Sequence, residues 1–88
     1  MRHQSPVDHR SVASRLRAQP GVWLPVGEYR NSISADGVAR YIRTAFVNKP
    51  GAIGRWYRPA GAYESRTSLT EDGTLVEARY VGPVGGAA

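Results

Sequence analysis

Residues 62–81 can fold in few ways. Tyr63, Ser65, Thr67 and Leu69 alternate with Glu64 and Arg66, then Val76, Ala78 and Tyr80 alternate with Glu77 and Arg79. The break between the two runs is Thr70-Glu71-Asp72-Gly73. A period of two on either side of a polar, glycine-ended break is the pattern of a β-hairpin. Charge selects its register. A four-residue loop sets Arg66 opposite Glu77 and Glu64 opposite Arg79, and pairs Tyr63 with Tyr80 and Thr67 with Val76. A two-residue Asp72-Gly73 turn would face Arg66 with Arg79, which repel. The first register is expected, with Gly73 free to take a positive φ. The face carrying Tyr63, Ser65, Thr67, Leu69, Val76, Ala78 and Tyr80 is expected to lie under a helix.

Upstream, Asp8 or Ser11 is placed to cap a short helix ending near Gln19, where Pro20-Gly21 stops it. Val12 and Leu16 share its apolar face. Val22 to Arg30 reads as a strand with Val22, Leu24 and Val26 on one face and Trp23 and Tyr29 on the other. Pro25 confines it to an edge or interrupts it. Val38, Ile42, Ala45 and Phe46, with Ala35 and Ala39, form the apolar stripe of a second helix capped by Ser32 or Ser34. Gly37 inside that helix is the expected mark of a close backbone approach. Residues 48–61 are rich in turn formers, and Arg55-Trp56-Tyr57-Arg58 is the one stretch there able to form a short extra strand.

These elements make an α+β fold in the order α-β-α-(β)-β-β. The expected architecture is a small antiparallel sheet of three or four strands, with one main helix on one face and a short N-terminal helix. Residues 1–7 read as a disordered arm, 8–82 as a single domain and 83–88 as a flexible tail. A chain of 88 residues hides roughly 60–65% of its unfolded surface, so the core is small. With no cysteine, disulfides, thiol catalysis and zinc fingers are excluded, and a cytoplasmic location is expected. No apolar run is long enough to span a membrane, and Met1 to Pro6 leads into no signal-peptide core.

Charge is unevenly placed. Residues 1–58 hold ten Arg/Lys and three acids; residues 59–88 hold two Arg and four acids. Eleven of the twelve cations are arginines, whose planar fork grips phosphate and stacks on rings. The asymmetry points to a polyanion, DNA or RNA. Lys49 and the run Arg55-Trp56-Tyr57-Arg58 interleave cations with rings, so Arg55 and Arg58 would anchor phosphate while Trp56 or Tyr57 packs on sugar or base. Arg40 and Arg43 on the second helix, and Arg15 and Arg17 on the first, complete the candidate surface. The outer face of the hairpin, Glu64, Arg66, Glu77 and Arg79, is neutral. The alternative is a protein-interaction module, an inhibitor or adaptor that docks on an acidic host protein through the edge strand near Pro25 and exposed rings.

No HExxH, Gly-x-Ser-x-Gly or P-loop pattern occurs. His3 and His9 lie in or beside the arm. Neither an enzyme nor a metal or other cofactor site is expected. Leu16-Arg17-Ala18-Gln19-Pro20-Gly21-Val22-Trp23, Ser34 to Arg43, Pro59 to Glu64 and Glu77 to Gly82 resemble segments of small proteins of phages and mobile elements from high-GC actinobacteria. The resemblance covers residues 16–82 and carries no activity with it. It implies a bacterial cytoplasm and a nucleic-acid or host-factor partner.

Overall fold

The computed structural model describes residues 7–82. Helix α1 spans His9–Ala18, strand β1 Leu24–Tyr29, helix α2 Ser32–Thr44, β2 Tyr63–Leu69 and β3 Thr74–Tyr80. A 3-10 turn, Ile53–Tyr57, lies between α2 and β2. The three strands form one antiparallel sheet in the order β1-β3-β2, so Pro25 does lie on an edge strand. Both helices pack on a single face of that sheet. Val12 and Leu16 of α1 and Ala35, Ala39 and Ile42 of α2 share a core with Val26, Tyr63, Val76 and Ala78. Fully burying a Leu, Ile or Val of this kind contributes about 1.5–3 kcal/mol.

The hairpin has the charge-matched register: Tyr63 faces Tyr80, Glu64 Arg79, Arg66 Glu77 and Thr67 Val76. Gly73 serves a different purpose from the expected one. It does not take a positive φ; a β-carbon there would run into the carbonyl oxygen of Tyr29. At the tip the expected core face opens to solvent. Thr67 is exposed and Leu69 is 84% exposed.

Other local expectations need correction. Asn31, not a serine, caps α2: its backbone is extended and its Oδ1 accepts the Ser34 N–H at 2.8 Å. The register of β1 slips between Pro25 and Gly27. That bulge turns Tyr29 onto the core side with Val26, while Trp23 stays on the outer face. No atom lies within 4 Å of a β-carbon built on Gly37, so no backbone approaches it. The approach is at Gly54, where a β-carbon would collide with the Phe46 carbonyl. Residues 55–58 form no fourth strand. Arg55 N–H bonds to the Ala52 carbonyl at 3.2 Å and winds the segment into the 3-10 turn, which packs between α1 and the end of α2. Val7, read as part of the arm, packs on the core. Residues 1–6 and 83–88, the rest of the expected arm and tail, lie outside the described residues.

Candidate functional site

The 3-10 turn splits the aromatic pair that the sequence put forward. Tyr57 points inward and is fully buried, so it belongs to the core and not to a contact surface. Its hydroxyl lies 2.8 Å from His9 Nδ1. Its ring meets His9 edge-on at 5.7 Å and Tyr63 at 5.2 Å. Burial pushes the Tyr57 hydroxyl strongly upward from its usual range, reinforced by Tyr29 and Tyr63 and opposed by Arg15. Burial also lowers His9, against a smaller upward pull from Asp8. Both groups are therefore neutral near pH 7.

Trp56 is half-buried, and two guanidiniums cover its ring. Arg55 lies 4.5 Å from the ring centroid and Arg10, from α1, 5.8 Å. Arg17 donates to the Tyr63 hydroxyl at 2.9 Å, and Arg43 donates to Ser65 Oγ at 3.1 Å. Ser65 in turn donates to the Ala39 carbonyl at 2.7 Å. Tyr63 and Ser65 are successive core-side positions of β2, so Arg17 and Arg43 reach neighbouring points on one strand. The Gly61 N–H bonds to the Arg43 carbonyl at 2.9 Å, which ties the segment after Arg58 to the end of α2. Arg15, Arg40, Lys49 and Arg58 are exposed. Arg40 and Lys49 flank the ring pair Tyr41–Phe46. Arg10 is the contributor that the sequence-based set lacked. Its signal was present, because Arg10 and Arg17 lie seven residues apart and so on one flank of α1.

The opposite face of the sheet is different. Arg66 pairs with Glu77 at 2.9 Å and Arg79 with Glu64 at 2.6 Å. The same two guanidiniums lie over the Trp23 ring at 4.0 and 4.8 Å. Among the described residues these are the two ion pairs, and both are on the outer sheet face. The cations of α1, α2 and residues 49–58 have no carboxylate within salt-bridge distance among the described residues.

The two ends of the sheet are also told apart by their residues. Tyr29, the last residue of β1, pairs with Thr74 at the start of β3, so the start of α2 and the hairpin turn share one end. Asp36, Glu71 and Asp72 are at that end, exposed, together with Arg30. The Gly61 N–H bond to the Arg43 carbonyl marks the other end. Among the described residues no cluster of His, Asp or Glu could hold a metal ion, and no helix is long and apolar enough to cross a membrane. No family model, curated protein or solved structure matches this chain.

Proposed function

We propose that this protein is a small basic nucleic-acid-binding accessory protein, with DNA as the first polymer to test, acting by binding and not by catalysis. One observation carries the reading: among the described residues the guanidiniums of the helical side form no ion pair, while the two arginines of the outer sheet face are each paired with a glutamate. An arginine without an acid partner has its donor fork available for phosphate. Trp56 holds the Arg10 and Arg55 guanidiniums against its ring at the surface, where both can meet phosphate. Such a role fits the bacterial cytoplasm and the accessory proteins of phages and mobile elements.

Four to six phosphate contacts would make log K fall against log salt with a slope of roughly −4 to −5 on duplex DNA. Replacing Arg55 and Arg58 by alanine should flatten that slope by about two in an anisotropy titration. An unchanged slope removes residues 49–58 from the interface.

A second reading is docking on an acidic partner protein. It is favoured by β2, a regular edge strand with neither proline nor bulge along its seven residues, which suits strand addition better than the bulged β1. Capture from host lysate with and without nuclease separates the two. Material lost on nuclease treatment supports nucleic acid, and a protein retained after it supports docking.

A further inference from the structure

Helix α2 ends in a way that its apolar stripe does not foretell. Ala45 takes a left-handed backbone with φ 53°, a conformation that residues bearing a β-carbon adopt sparingly. The chain therefore leaves the helix one residue before Phe46. Phe46 is 50% exposed instead of buried, and its ring lies nearly parallel to Tyr41, with centroids 6.2 Å apart and planes inclined by 17°. A groove of about 310 Å³ runs along one side of this pair, with Val38, Ile53, Asn48 and Lys49 in its lining. A second groove of about 340 Å³ on the other side is lined by Arg40 and Thr44. No carboxylate lines either groove among the described residues.

We propose that the Tyr41–Phe46 pair is a stacking platform for an unpaired base of a single-stranded nucleic acid. Arg40 and Lys49 hold the phosphates on either side, and Asn48 offers its amide to the base edge. This rests on the nucleic-acid reading above and adds the state of the polymer, a strand whose bases are accessible. The chemistry matches on each count. Flat rings at a surface stack on a π-face whatever the base. Cations on both flanks match a chain that carries an anion before and after each base. An aromatic side chain of a partner protein would use the rings but leave both cations idle. An acidic peptide would use the cations but leave the rings idle. A duplex keeps its bases stacked out of reach.

The test compares three probes with the intact protein at low salt, read by fluorescence anisotropy. They are a single strand of about a dozen nucleotides, the same strand with its bases removed, and the duplex. The intact strand should bind at least about fivefold tighter than the abasic one. Phe46→Leu keeps an apolar side chain but removes the ring. It should bring the intact strand down to the abasic level and leave the abasic and duplex affinities unchanged. Equal binding of intact and abasic strands by the unaltered protein overturns the platform and leaves the phosphate interface standing. A preference that survives both Phe46→Leu and Tyr41→Leu overturns it too. Failure to bind any of the three overturns both readings.

Discussion

Tyr57 and Trp56 are adjacent in the chain and opposite in role. Tyr57 is locked into the core by His9 and Tyr63, and Trp56 stays at the surface beneath two guanidiniums, each contributing about 0.5–1 kcal/mol at an exposed site. The His9–Tyr57 contact has a pH signature. Neutral His9 shares a hydrogen bond with the Tyr57 hydroxyl at Nδ1, and burial holds the histidine's pKa below the ordinary value of 6.5. The unfolded chain therefore binds the proton more readily than the folded one. Its stabilising contribution is complete above 6.5, shrinks as the pH falls below that value and is gone under the lowered folded-state pKa. Urea midpoints measured from pH 7 down to pH 5 should fall in the unaltered protein and fall less in His9→Asn. Parallel decline of the two would place the acid sensitivity elsewhere. Tyr57→Phe, which strands His9 without a partner, should cost about 1 kcal/mol at pH 7.

At the scale of elements, the glycines separate into those that need their missing side chain and those that do not. Gly54 brings the 3-10 turn against the backbone of Ala45 and Phe46, and Gly37 faces open space inside α2. Gly54→Ala should destabilise by about 2 kcal/mol or more, since the colliding atoms are backbone. Gly37→Ala should stabilise by about 0.5–1 kcal/mol. Thermal or urea unfolding of the two variants checks both signs, and the reverse order would mean that the turn sits elsewhere. The same contrast marks what the sequence could convey. The hairpin register was legible because cross-strand charge is a local rule, and α1 and the apolar face of α2 because their spacing is. The bulge in β1, the left-handed Ala45 and the 3-10 turn at 53–57 were not, because each depends on a tertiary neighbour. Gly54 fits only against the end of α2, and Tyr57 turns inward only because His9 and Tyr63 receive it. For the site, the exposed cations could be read from charge placement. The burial of Tyr57, the reach of Arg10 to Trp56 and the turning-out of Phe46 could not.

Across the whole molecule, ion pairing differs between the two sides of the sheet: among the described residues both ion pairs lie on the outer face. Placing both helices on one sheet face produces this difference, because α1, α2 and residues 49–58 then share a side. A polyanion approaching the helical side meets guanidiniums that form no ion pair among the described residues, and one approaching the sheet meets a neutral ladder. The most direct test is a salt titration of DNA binding with two matched double variants, Arg10→Ala with Arg55→Ala on the helical side and Arg66→Ala with Arg79→Ala on the sheet side. Each removes two positive charges. The helical pair should flatten the salt slope by about two, and the sheet pair should leave it where it was. Equal loss from both pairs, or no salt-dependent binding at all, would contradict a phosphate-binding helical side.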